Sequence, residues 1–412
     1  LPVHPDRRLR RAETHYTKRK VEKVSASENI SEPKKSGVSR RSLLTSMGLG
    51  AGVIATTGLL SACTTVASTG SGATGGGVAA GSIGGSSYDA EIKKLVAGRE
   101  LQIGWTPPIL SEFFKQMESA AFGRMAELEA AYGVKWKWER SSPTGNFDAV
   151  EQQISTVRGW TTRKFDAVLV CTGANFATMQ DVYQEASASG TAVFQFNQPV
   201  EIYAPEQIST VSNIGYDNRW QSGYLAGKFI ADTLGGKGTV IQIMGPSGSD
   251  WTKARLIGFA KAMEENPGMK VLGTADGGYV REKGLNAAQD LLTRFRDVNA
   301  IYGENEDMAL GALQAVDAAG LKSWDGKEGI VIVGADGLIS GMDSIAAGKL
   351  TATIDVGSVD QGRTFIDTIF QNVVLGESVG KFINVPTRVV TKKNVAAAQA
   401  YINNALQPSK TY

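Results

Sequence analysis

From residue 91 onward the chain alternates short apolar runs with amphipathic stretches, and few architectures accept that rhythm. Apolar runs of four to eight residues bounded by Gly, Asn or Asp read as strands, and 3.6-residue periodicity between them reads as helix. The first series predicts strands at 101–105, 134–139, 167–171, 192–196 and 209–212, with helices at 113–132, 148–159, 176–189 and 220–234. The second predicts strands at 239–244, 270–274, 300–302, 329–333, 351–354 and 383–390. Its helices are expected at 251–265, 282–295, 307–319, 339–347 and 360–375, with a last one in the run VAAAQAYINNAL. Two consecutive βα series of similar length predict an α/β protein of two doubly wound parallel-sheet lobes. Continuous apolar runs such as AVLV and IVIV fit strands covered on both faces.

Sheets of this kind bind ligands outside the carboxyl ends of their strands. The residues just after each strand are therefore candidates: Trp105, residues 171–175, Asn197 with Gln198, residues 245–251, residues 276–279, residues 304–306 and Asp336. Trp105, Phe113, Phe114, Trp251 and Tyr279 all fall at strand ends or helix starts. Such aromatics serve a core, or they stack on the apolar C–H faces of a sugar or polyol while fixed polar groups take its hydroxyls. Arg255, on the first turns of a helix, offers a rigid donor fork or makes a surface ion pair. Asp336 is a hydroxyl acceptor or the cap of the helix that follows. The stretch from Gly245 to Lys253 lacks the GxxxxGK[ST] spacing of a phosphate loop, so nucleotide hydrolysis is not expected.

Residues 39–63 address a different question, the place of work. Arg40-Arg41 precede a mildly apolar run to Leu60, and the segment closes on Leu60-Ser61-Ala62-Cys63. A basic patch, an apolar stretch and small residues before a cut make an export signal, and a twin arginine points to the Tat route. The run is short against the ~20 apolar residues of a membrane span. Its last four residues resemble the bacterial lipoprotein box, which implies a diacylglycerol on Cys63 and a membrane anchor; a secretory signal with an ordinary cysteine is the other reading. Residues 1–38 read as a disordered basic prefix, and residues 64–90 as a Gly/Ser/Thr linker spanning roughly 25–30 Å.

Composition narrows the chemistry. Twelve Lys and Arg against five Asp and Glu precede Cys63; the rest holds 31 basic and 36 acidic side chains, a net of −5. No basic field remains for nucleic acid. Both histidines, His4 and His15, lie in the prefix. Residues 63–412 thus carry no Ser-His-Asp or Cys-His group and no His-containing zinc site. Cys171 is left alone at the end of an apolar strand, where a buried inert thiol is expected. No enzyme, no cofactor and no metal are expected.

Several stretches then match one family together: residues 303–313 (GENEDMALGAL), residues 330–341 (IVIVGADGLISG), LTATI with Asp360-Gln361-Gly362, Tyr216-Asp217-Asn218 with Gly227, and Lys253-Ala254-Arg255 with Gly258-Phe259. Residues 99 to 392 resemble the ribose/galactose class of periplasmic binding proteins, kin to lactose-repressor effector domains. The resemblance implies a type I fold whose chain crosses between lobes three times, near 215–217, 355–358 and 382–385. Lobe one would hold 99–216 and 357–382; lobe two would hold 217–356 and 383–412. It implies ligand contacts from Phe113 or Phe114, Asn197, Arg255, Tyr279, Asn305 and Asp336. It also implies an extracytoplasmic protein that hands a monosaccharide or polyol to the permease and ATPase of an ABC importer; with the Cys63 box this reads as a lipid-anchored protein, and a monomer is expected. A tethered sensor presenting its loaded form to a receptor kinase or chemoreceptor would have the same cleft. A repressor would need a helix-turn-helix, which residues 1–38 do not show. The chain departs from the pentose binders in three places. Asn197-Gln198 stand where those carry Asp-Arg, Cys171 where they carry Asn, and Asp355-Val356-Gly357 hold no equivalent of their late glutamine. These changes point away from ribose, toward another pentose, a polyol or a deoxy sugar.

Overall fold

In the computed structural model, residues 86–144, 147, 149–174, 176–198, 209–216, 220–406 and 411–412 are described. The export signal, Cys63 and nearly all of the linker lie outside them. The first described element is α1 (Ser86–Val96), which starts inside the stretch read as linker. Its Ile92 and Val96 are buried, so two apolar positions four apart anchor it to the body.

The first lobe follows in strict alternation: β1 (Glu100–Thr106), α2 (Glu112–Tyr132), β2 (Lys135–Arg140), α3 (Val150–Thr162), β3 (Ala167–Val170), then a 3₁₀ turn (Phe176–Met179) leading into α4 (Gln180–Ala188), β4 (Ala192–Phe196) and β5 (Ser212–Gly215). Helix α2 ends where Gly133 adopts φ 78° and its N–H reaches the Glu129 carbonyl at 2.8 Å, the left-handed stop that glycine makes cheap. Strand β5 begins three residues later than the sequence suggested; Ser209 and Thr210 precede the ladder.

The second lobe repeats the pattern with α5 (Gln221–Thr233), β6 (Lys237–Met244), α6 (Asp250–Glu265), β7 (Gly268–Asp276), α7 (Arg281–Arg294), β8 (Ala300–Gly303), α8 (Glu306–Ala318), β9 (Val331–Asp336), α9 (Ile339–Ala346) and β10 (Ala352–Asp355). Helix α10 (Ser358–Ile369), extended by a π turn at Phe370–Val374, packs back on α2 and so returns to lobe one. The expected strand at 383–390 is two strands. β11 (Phe382–Asn384) pairs parallel with β5 in the first sheet, and β12 (Arg388–Thr391) pairs antiparallel with β10 in the second. A continuous apolar run hides such a split, because each half satisfies its backbone in a different sheet. Helix α11 (Val395–Ala405) closes the second lobe.

The sheets run β2-β1-β3-β4-β5-β11 and β7-β6-β8-β9-β10-β12. In both, the order reverses beside the first strand, between β1 and β3 and between β6 and β8, which opens a crevice at the carboxyl edge. All strand pairings are parallel except β10 with β12, so lobe two carries one antiparallel edge strand. The chain passes between lobes after β5, after β10 and between β11 and β12; lobe one thus runs to Asn384, two residues beyond the expected boundary. Its reach does not end there. Tyr412 donates to Glu129 of α2 at 2.7 Å and packs on Phe122, so the chain's last residue rests on lobe one. Central strands are fully buried, with Val168, Leu169, Val170, Val331, Ile332 and Val333 at 0% exposure. Among the described residues no helix is long and apolar enough to cross a membrane.

Candidate ligand-binding cleft

The carboxyl edges of the two sheets face each other across a cavity whose space, mouth included, is about 410 Å³. Lobe one lines it with Ile109, Ser111, Phe113, Phe114, Phe147 and Asn197; lobe two with Trp251, Arg255, Tyr279, Asn305 and Asp336. Eight of the nine residues singled out from the sequence therefore meet in one place.

Trp105 is the exception. Strand β1 continues through Thr106, so Trp105 lies within the sheet and not at its rim. Its ring is fully buried, 6.0 Å from Trp138 and 5.8 Å from Phe196 by centroid. It supports the floor under Phe114, which meets Phe196 edge-on at 6.2 Å. Ile109, Ser111 and Phe147 went unnoticed in the sequence. Phe147 had a usable signal, since it follows β2 just as the other candidates follow their strands.

Arg255 sits on the second turn of α6. That helix lies close to α5 because Gly258 has no side chain to collide with the Trp220 carbonyl. The guanidinium is 6% exposed, which removes the surface ion-pair reading. One terminal nitrogen donates to the Glu304 carbonyl; the other donates to Tyr216 Oη at 2.9 Å and stands 3.6 Å from Asp336 Oδ1. Its Nε, also buried, has no partner among the described residues. A fork held on two sides is fixed in place at the cavity wall.

Asp336 ends β9 and caps no helix; Leu338 holds the N-cap position of α9. Burial pushes its carboxyl up to about 7, against the opposing pull of Arg255. Behind it Glu304 is pushed up to about 8 by burial, although the Gly245 N–H binds its Oε2 at 2.9 Å. Asn305 caps α8, its Oδ1 accepting from Met308 N at 2.9 Å while Nδ2 reaches the Tyr279 carbonyl at 3.3 Å. The Tyr279 hydroxyl is 2.8 Å from Thr252 Oγ1, and the residue lines the cavity. Cys171 is buried, and burial holds its thiol well above the ordinary range, as an inert core residue requires.

Backbone strain gathers here too. Non-glycine residues with positive φ among those described are Lys164, Asn197 (50°), Tyr279 (61°) and Asp336 (141°), and the last three line the cavity. Such conformations cost of order 1–3 kcal/mol each and persist where surrounding structure imposes them.

The lobes also touch directly. Trp251 Nε1 donates to the Asn197 carbonyl at 2.7 Å, and Gln116 Nε2 donates to the Gly337 carbonyl at 3.1 Å. Phe147 covers Trp251 and Tyr279, at 5.7 and 5.3 Å between centroids. Among the described residues no group of three His, Cys, Asp or Glu is placed to hold a metal ion.

Two doubly wound lobes meeting on a polar cavity with aromatic walls define a hinged, ligand-enclosing clamp. The sequence pattern of the periplasmic binding protein domain matches residues 103–378, and the chain belongs to that family, in its ribose/galactose-type branch. It is 33% identical over 214 residues to the ribose import binding protein of Escherichia coli, 51% of this chain and 69% of that one. It is 36% identical over 184 residues to the ribose import binding protein of Haemophilus influenzae, 45% of this chain and 60% of that protein's length. Among solved structures, an ABC transporter solute binding protein from Mycobacterium smegmatis with bound glycerol superposes with a TM-score of 0.61 at 28% identity, over 73% of this chain and 96% of that one. These relatives are binding proteins and not enzymes.

Proposed function

We propose that the chain captures a monosaccharide or polyol between its lobes and delivers it, outside the cytoplasm, to an ABC importer. One observation carries the ligand class: a buried Arg255–Asp336 pair 3.6 Å apart, flanked by Asn197 and Asn305 and walled by Phe113, Phe114, Phe147, Trp251 and Tyr279. Aromatic faces take the C–H side of a sugar, while convergent amides and charges take its hydroxyls. The site residues are therefore Phe113, Phe114, Asn197, Trp251, Arg255, Tyr279, Asn305 and Asp336, joined by Ser111 and Phe147. Ribose import by the E. coli and H. influenzae relatives and glycerol in the M. smegmatis neighbour support the same class. A ligand bridging both lobes favours the closed form by its differential affinity for it. Lipid anchoring through Cys63 rests on the Leu60–Cys63 box alone.

Protein lacking residues 1–63, screened by thermal shift and calorimetry against sugars, polyols, amino acids and short peptides, tests the reading. Stabilisation by carbohydrates alone is expected; a clear amino acid or peptide hit with no carbohydrate hit sinks it. Incorporation of labelled fatty acid in the native host, lost in Cys63→Ala, tests the anchor.

A further inference from the structure

Behind Asn197 lies a buried glutamine that the ligand reading does not use. Gln361, on α10, is fully buried in lobe one. Its Nε2 donates to the Val356 carbonyl at 3.0 Å and to Asn197 Oδ1 at 3.4 Å. A backbone carbonyl can only accept, so it fixes which end of the Gln361 amide faces it; turned over, that amide would set oxygen against oxygen. The same nitrogen then fixes Asn197, whose Oδ1 points inward. Asn197 Nδ2 makes no hydrogen bond among the described residues. As Asn197 lines the cavity, this donor is one that lobe one offers the ligand.

The other polar groups make the imbalance sharper. Asn305 Oδ1 already accepts from its helix, Arg255 Nε–H is buried without a partner among the described residues, and Trp251 Nε1 is taken by the Asn197 carbonyl. Acceptors are Asp336, on lobe two, and the Ser111 hydroxyl. Among the described residues, the lobe-one lining other than Asn197 and Ser111 is Ile109, Phe113, Phe114 and Phe147, whose side chains accept nothing. A ligand hydroxyl facing Asn197 Nδ2 could accept, but its own hydrogen must then reach Ser111 or Asp336 or be lost among apolar groups. An oxygen without hydrogen incurs no such loss.

We infer that Gln361 is a positioning residue that turns Asn197 into a donor, and that this donor meets the ring oxygen of a cyclic sugar. The inference rests on the carbohydrate reading above and narrows it: pyranoses and furanoses are selected over alditols and cyclitols, in which every oxygen bears hydrogen.

Calorimetry on the protein lacking residues 1–63 tests this with aldoses (ribose, xylose, arabinose, galactose, allose), their alditols, and myo-inositol as a rigid ring without a ring oxygen. The best aldose should bind at least about tenfold more tightly than its alditol and than myo-inositol. In Gln361→Met that ratio should collapse toward one with alditol affinity unchanged. In Asn197→Asp, where an acceptor replaces the donor, it should reverse. Equal or tighter binding of alditols or inositol by the unaltered protein overturns the inference and leaves the carbohydrate reading standing. A ratio preserved in Gln361→Met, with all affinities lowered alike, makes Gln361 merely structural and overturns its role. Binding of an amino acid and no carbohydrate overturns the underlying reading and this inference with it.

Discussion

The indole N–H of Trp251 donates to the main-chain carbonyl of Asn197 at 2.7 Å, so lobe two is bonded to the backbone of lobe one across the cleft. The carbonyl is on the strained residue that ends the lobe-one strand, and the indole opens the helix that carries Arg255. One bond therefore registers the two halves of the site against each other.

Trp251→Phe keeps an aromatic face and deletes this bond. A net hydrogen bond is worth about 0.5–1.5 kcal/mol, so ligand affinity should fall roughly three- to tenfold. Calorimetry should show the loss, and small-angle scattering should show a larger radius of gyration at subsaturating ligand. Unchanged values in both would mean that the bond does not help hold the lobes together.

Asp336→Ala should abolish measurable binding while the protein stays folded. It removes the carboxylate acceptors of the cavity, and unpaired ligand hydroxyls cost about 1–3 kcal/mol each, roughly a hundredfold or more in affinity. Titration calorimetry, with a melting curve alongside, reads both parts. Retained affinity would take Asp336 out of the site.

Affinity should depend on pH through the same residue. The Asp336 carboxyl titrates at about 7 in the folded protein against an ordinary 3.8, because burial disfavours its charge. Hydroxyl donors prefer the ionised form, so affinity should weaken as pH falls below about 7, and binding near pH 6.5 should release a proton. Titrations in buffers of different ionisation enthalpy measure that release. Stability without ligand runs the opposite way. Asp336, Glu304 (about 8) and Asp355 (about 6) all bind protons more tightly folded than unfolded. Stability should therefore decline as pH rises from about 4 to 8. Denaturant melts at pH 5 and pH 8 check the sign.

Gly173→Ala should weaken binding without unfolding lobe one. A Cβ there would fall inside the Phe147 carbonyl, forcing that loop away and lifting Phe147 off Trp251 and Tyr279. An affinity loss of about five- to twentyfold is expected, from the 0.5–1.5 kcal/mol typical of an aromatic contact plus lost enclosure. Quenched Trp251 fluorescence on ligand addition should diminish in parallel. A variant that binds as well as the parent would show the loop to be dispensable.

The two-lobed α/β architecture was legible from residues 91–391 because helix and strand periodicities are local properties of the chain. So was much of the cleft lining, since the carboxyl ends of parallel strands share one edge of the sheet, and Asn197, Asn305 and Asp336 stand at such ends in the sequence. Other features were set only by packing. Trp105 stayed in the core because β1 runs one residue further than its apolar run suggests. The apolar run at 383–390 divides between two sheets, a choice made by partner strands far away in sequence. Gln361 stands behind Asn197 on α10, where periodicity marks a helix but not which neighbour its amide meets. The amino-acid order fixed which residues stand at strand ends; contacts between distant segments decided which way their amides and carboxylates point, because hydrogen-bond direction depends on neighbours that the chain brings together only when folded.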